Sequence, residues 1–190
     1  MTVIMMGGVP ASGKSTIVKR VIHGLEQPNY VEPLNLFPCQ RHGDVLVVGK
    51  YPEGEPFGGT DRLSYGAINQ FSDFILQEYP KHRHIVIEGD RFFQMKNIEW
   101  LVSGYDARVF VLQVSPEELK RRHIYRKDSQ TEKWLKGRNT QIQNILTNLV
   151  LMGHLQVRTN ETDQDTQDLV REINGLLFDV PVKTQKTPQF

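Results

Sequence analysis

The chain predicts an α/β fold, a mostly parallel five-stranded sheet flanked by helices. Three observations point there. Five short β-like runs alternate with longer segments whose apolar residues recur at helical spacing. The first run is apolar throughout, as a strand buried on both faces of a parallel sheet requires. A length of 190 residues suits one hydrophobic core. One domain is expected over residues 1–178, followed by a tail at 179–190 that has two prolines and no periodicity.

The elements follow in order. Residues 2–6 form the first strand and 15–25 the helix after a Gly-rich turn. The second strand is 44–51, and the R-H-G-D before it allows a hairpin back onto 34–40. A helix over 64–79 places Ile68, Phe71, Ile75 and Tyr79 on one stripe. Strands follow at 84–88 and 107–114. Ser115-Pro116-Glu117-Glu118 is the signature of a capping box with proline at the first helical position. A helix over 139–152 carries Ile142, Ile145, Leu146, Leu149 and Val150, with Gly153 as its stop. A last strand at 154–158 leads into a helix at 163–178 with Leu169, Val170, Ile173, Leu176 and Leu177 on one side.

Composition excludes several classes. With 38% hydrophobic and 24% charged residues the chain is not globally disordered. A formal charge of +1 excludes a histone-like polycation, so any nucleic-acid contact must come from a local patch. Cys39 is the single cysteine, so no internal disulfide forms, and no Cys/His cluster has zinc-ligand spacing. The apolar runs are far too short for a membrane span, and the N-terminus lacks the charged region of a signal peptide. A soluble protein of a reducing, cytoplasmic compartment is expected.

The strongest motif is G-V-P-A-S-G-K-S at 8–15, which fits G-x-x-x-x-G-K-[ST] between a strand and a helix. Gly8 and Gly13 permit backbone angles that a Cβ forbids. Amides from Ala11 to Ser15 can then converge on phosphate oxygens at a helix N-terminus. Gly8, Pro10, Ala11, Ser12, Gly13, Lys14, Ser15 and Thr16 are the predicted ATP cradle. Lys14 serves the β- and γ-phosphates and Ser15 the Mg²⁺. This makes the expected fold a three-layer P-loop NTPase with a small lid. No N-K-x-D sequence is present to select guanine. A phosphoryl-transfer kinase fits the remaining length, and it needs an acid near the acceptor hydroxyl and a cationic lid.

Candidate acids lie at two places. H-I-V-I-E-G-D delivers Glu88 and Asp90 to the C-terminal end of a buried strand, where ligands bind in open α/β sheets. Either suits Mg²⁺; a turn cap or an Asp90–Arg91 pair is the plainer alternative. G-G-T-D-R-L-S at 58–64 sets Asp61, a base, beside Arg62, a phosphate-pairing cation. Thr60 or Asp61 as a helix N-cap is the alternative there. The lid is expected at about 119–138, a segment of net +6 in which Arg122, Arg126 and Arg138 are the candidate phosphate or ATP contacts. A solvated helix face is the alternative.

The loop at 8–16 together with I-V-I-E-G-D-R resembles the small P-loop kinases that include polynucleotide and nucleoside kinases. V-V-G-K-Y at 47–51, F-G-G-T-D-R-L-S at 57–64 and W-L-K-G-R-N-T-Q-I-Q-N at 134–144 are similar, more narrowly, to bacteriophage P-loop kinases. Among those are 5-hydroxymethyluracil DNA kinases, which phosphorylate the base hydroxymethyl group in DNA. The general resemblance spans residues 1–178. It implies ATP and Mg²⁺ on Lys14, Ser15 and Thr16, a base at Asp61 or Asp90, a lid role for Arg126 or Arg138, and a location in the host cytoplasm. Polynucleotide kinases place an arginine a few residues after the base aspartate, whereas Arg62 directly follows Asp61. Three functions stay open: a kinase for a hydroxymethylated pyrimidine in DNA, a free nucleoside or nucleotide kinase, and a non-catalytic nucleotide-binding regulator. Tyr51, Phe57, Phe92 and Phe93 are the aromatics expected near an acceptor base.

Overall fold

The computed structural model describes residues 1–51, 58–126 and 130–178. The expected tail at 179–190, Phe57, Lys127 and Asp128 lie outside the described residues. The strands are β1 (Thr2–Gly8), β2 (Asn29–Val31), β3 (Cys39–His42), β4 (Val45–Val48), β5 (His84–Glu88), β6 (Ala107–Gln113) and β7 (Leu155–Thr159). They form one seven-stranded sheet in the order β2-β3-β4-β5-β1-β6-β7. β1 lies between β5 and β6 and is parallel to both. β4 adds to β5 and β7 to β6, again parallel. The β2–β3 and β3–β4 pairings are antiparallel, and the hairpin turns at Gly43 as the R-H-G-D stretch predicts.

The expected count of five strands is therefore corrected to seven. The two additions, β2 and β3, have little periodicity of their own. β2 is three residues long and largely exposed, and it exists because β3 offers it an edge.

Helices cover both faces. Alternation along β1 sends Ile4 and Met6 to one side, where Ile17, Val18 and Val21 of α1 (Lys14–His23) and Leu169, Ile173 and Leu177 of α6 (Asp163–Phe178) bury them. Val3 and Met5 point to the other side. There they meet Phe74 and Ile75 of α2 (Phe71–Glu78), Ile98 and Leu101 of α3 (Met95–Gly104), and Ile142 and Ile145 of α5 (Glu132–Leu146). Each such aliphatic or aromatic side chain contributes about 1.5–3 kcal/mol on full burial. α4 (Pro116–Arg126) crosses the C-terminal end of the sheet. No helix among the described residues is long and apolar enough to cross a membrane.

Two helical expectations change, and one helix, α3, is added. The segment 64–79 is a 3-10 run (Tyr65–Gln70), then α2, then a 3-10 turn containing Pro80. α3 lacks an N-cap side chain and carries only two buried aliphatic residues, which explains its weak sequence signal. The helix expected over 139–152 begins at Glu132 and stops at Leu146. Asn148 ends it, because its Oδ1 accepts the Val150 and Leu151 N–H groups in place of helical carbonyls. Leu149 and Val150 consequently face solvent. The capping box is also altered. Ser115 Oγ accepts the Glu118 N–H at a long 3.4 Å, but the Ser115 N–H goes to Glu161. Glu118 instead pairs with Arg121 and Arg122.

Candidate active site

The phosphate loop leaves the end of β1 and enters α1 through Gly13, which is left-handed at φ 96°. Its carbonyls are tied back. Arg122 donates to the Ala11 carbonyl at 3.2 Å, and Asn160 Nδ2 to that of Ser12 at 2.7 Å. Asn160 is buried and in turn accepts the Thr166 hydroxyl. Fixing the carbonyls behind the loop favours presentation of its N–H groups in front, the arrangement an anion needs. Arg122 also reaches the carbonyls of Asn160 and Glu161. It grips the loop from behind and is not among the residues lining the cleft described below. Arg126 ends α4.

Lys14 is buried, and its Nζ donates to the carbonyls of Gly8 (2.9 Å) and Val9 (3.1 Å). It lies 3.9 Å from Asp90 Oδ1. Ser15 Oγ donates to Glu88 Oε1 at 3.0 Å, so the loop serine and the end of β5 are in direct contact. Glu88 is fully buried, and its Oε2 has no hydrogen-bond partner among the described residues. Burial, reinforced by the charge of Asp61, pushes the Glu88 carboxyl up to about 8. The same burial and the charge of Glu88 push the Tyr51 phenol upward.

The segment before α2 closes onto this group. Gly59 sits at φ 72°, and a Cβ there would collide with Glu88, so the chain passes only as glycine. Thr60 Oγ1 donates to the Glu88 carbonyl at 2.7 Å, and Asp61 Oδ1 accepts the Asp90 N–H at 3.1 Å. Asp61 caps no helix: the following 3-10 run is capped by Ser64. Although Asp61 is exposed as a residue, its carboxyl faces Gly89 and Asp90 closely. Desolvation first, then the Asp90 charge, raise its pKa. Arg91 donates to the Asp61 carbonyl and lies over the Tyr65 ring, 4.0 Å from its centroid.

Lys14, Ser15, Asp61, Asp90 and Arg91 line a cleft of about 330 Å³ with Pro10, Tyr65, Gln94, Trp134 and Arg138. Arg138 stacks 5.5 Å over Trp134 and is held by Gln141. Lys14, Ser15, Asp61, Asp90 and Arg138 are thus brought together, with Glu88 behind them. The aromatics differ from expectation. Phe92 and Phe93 are in the core, with Phe92 stacked on Phe37 and Phe71, and Tyr51 is buried beside Glu88. The cleft aromatics are Tyr65 and Trp134, of which Trp134 belongs to a stretch the sequence singles out. Nothing in the sequence marks Asn160.

The donor set fits Mg²⁺. An orphaned buried carboxylate oxygen, a serine hydroxyl and a nearby aspartate are hard oxygen ligands. No group of three or more His, Cys, Asp or Glu that holds a metal by itself occurs among the described residues.

No protein-family model matches the chain, and no curated protein sequence does. Solved structures do. A sugar kinase from a Janibacter species superposes with a TM-score of 0.54 at 15% identity, covering 95% of this chain and 96% of that one. Shikimate kinase from Bacteroides thetaiotaomicron gives 0.49 at 14% identity over 93% and 98%. A gluconokinase from Sinorhizobium meliloti gives 0.44 at 14% identity over 95% and 98%. The first of these likenesses carries the fold assignment: the chain has the three-layer fold of P-loop kinases.

Proposed function

We propose that this protein is an ATP-dependent phosphotransferase that moves the γ-phosphoryl group to a hydroxyl acceptor. The observation that carries this reading is the convergence of Lys14, Ser15, Asp61 and Asp90 on one cleft at the C-terminal ends of β1 and β5. Lys14 binds the β- and γ-phosphates, the loop amides hold them, and Arg138 neutralises charge from the opposite wall. Asp61 accepts the acceptor's hydroxyl proton as its oxygen bonds to the γ-phosphorus. The bond from that phosphorus to the bridging oxygen breaks and ADP leaves. Ser15, Glu88 and Asp90 would hold Mg²⁺, which supplies charge neutralisation at the phosphates.

For the acceptor we favour the 5-hydroxymethyl group of a modified pyrimidine in DNA, with a free nucleoside or nucleotide as the second reading. Tyr65 and Trp134 support an aromatic acceptor, because exposed rings in a polar cleft offer stacking surface. The names of the structural neighbours speak for a small sugar-type molecule instead. Incubation with γ-labelled ATP and hydroxymethylated DNA, ordinary DNA, nucleosides, gluconate or shikimate separates them. Label in hydroxymethylated DNA alone is expected, lost by ~10²–10³ in a folded Lys14→Ala variant. Transfer to a sugar acid overturns the DNA reading, and no transfer to any of these acceptors overturns both acceptor readings.

A further inference from the structure

We propose that the cleft between α4 and α5 is a second ligand site, shaped for a small amphiphilic anion and coupled to the phosphate loop. Its volume is about 890 Å³, against about 330 Å³ for the cleft that holds Asp61. That is within the range of cavities that take a small organic molecule of ligand size. Val9, Pro10 and Val114, Leu119 of α4, and Leu135 and Ile142 of α5 are its apolar lining. Leu119 and Leu135 are only half-buried, so a guest with an apolar body gains the burial that these walls lack.

Charge selects the other end of the guest. Lys120 from α4 and Lys136 from α5 line the same cleft, and neither has an ion pair among the described residues. His123 is also present. The acid there, Glu161, is engaged in accepting the Ser115 N–H at 2.8 Å. Two ammonium groups on opposite walls fit one carboxylate or sulfonate on an apolar body.

The coupling is covalent in origin. Pro10 lines both clefts, and the Val9 carbonyl accepts Lys14 Nζ. A guest resting on Val9 and Pro10 therefore bears on the backbone that aims the phosphate lysine. The site is independent of which hydroxyl accepts phosphate.

The test is a titration of the full chain with anilinonaphthalene sulfonate, which has apolar rings and one sulfonate, followed by fluorescence and calorimetry. One dye per chain is expected. Affinity should fall about tenfold or more in Leu119→Gln/Leu135→Gln, whose folding is checked by circular dichroism, and similarly in the surface variant Lys120→Glu/Lys136→Glu. ADP should still bind at saturating dye, with its Kd moved about fivefold or more and the dye's Kd moved by the same factor. Absence of saturable binding, affinity untouched by the charge-reversed pair, ADP affinity unmoved by dye, or displacement of dye by ADP one for one each overturns the proposal.

Discussion

Asp61 accepts the Asp90 N–H through Oδ1, and burial first, then the charge of Asp90, raise the pKa of its carboxyl. A base must be ionised, so turnover should rise with pH through a pKa lying above the ordinary 3.8 of an aspartate. Asp61→Asn should cost ~10²–10⁴ in kcat and abolish that acid limb. Asp90→Asn should move the limb to lower pH by removing one cause of the shift, and its residual activity should depend on Mg²⁺ concentration. The pH profiles of both variants check this; full turnover in Asp61→Asn would leave that residue as no more than a tether for Asp90. Glu88 gives a second pH effect, on stability. Its carboxyl titrates near 8 folded against an ordinary 4.5. Between those values the folded state holds a proton that the unfolded chain has released. The contribution is therefore complete below pH 4.5 and lost as pH rises towards 8. Glu88→Gln keeps its shape and does not titrate. Its advantage over the parent in urea denaturation, without metal or nucleotide, should grow from pH 5 to about 8.5.

Among the elements, the phosphate loop is joined to the segment after β7 by two side chains, Arg122 as a bridge between backbone carbonyls and Asn160 directly. Asn160 binds the Ser12 carbonyl and the Thr166 hydroxyl while 2% exposed. Asn160→Ala should cost about 1–3 kcal/mol in urea denaturation and weaken ADP binding in a parallel titration, because the loop loses a rear anchor. Nothing in the sequence announces this residue, since its partners come from β1's loop and from α6. The same physics divides what was legible from what was not. β1 and the loop could be read because unbroken apolar residues and G-K-S are local signals. Glu88 could be read as a strand-end carboxylate, but its contact with Ser15 depends on β5 pairing with β1. Phe92 and Phe93 follow the site directly in sequence. Their rings go to the core because Gly7 leaves room for Phe93 and Phe37 stacks on Phe92. The end of α5 departs from the periodicity because Leu149 and Val150 keep the helical period while Asn148 has already diverted the backbone.

For the molecule as a whole, charge is segregated: residues 119–138 carry net +6 in a chain of +1. If that segment meets a DNA backbone, log affinity should fall with log salt by about 0.9 per phosphate neutralised on duplex. The cations to remove are Arg138 and Lys133. Arg122 is committed to Glu118 and to the carbonyls of Ala11 and Asn160, so its loss should disturb the loop itself. Filter binding from low to high salt should give a shallower slope for Arg138→Gln/Lys133→Gln. A flat response for the parent protein would place the acceptor among free small molecules.

The strand made first is the one at the centre of the sheet. β1 leaves the ribosome with no neighbour, and both flanking partners, β5 and β6, lie later in the chain. At roughly 5–20 residues per second, the wait from the end of β1 to the end of β6 is roughly 5–20 s. During that time its apolar residues are available to chaperones or to other nascent chains. Stalled chains that end before β6 should therefore lack the nucleotide affinity proposed for the full chain, so that binding would report completion of the sheet's centre.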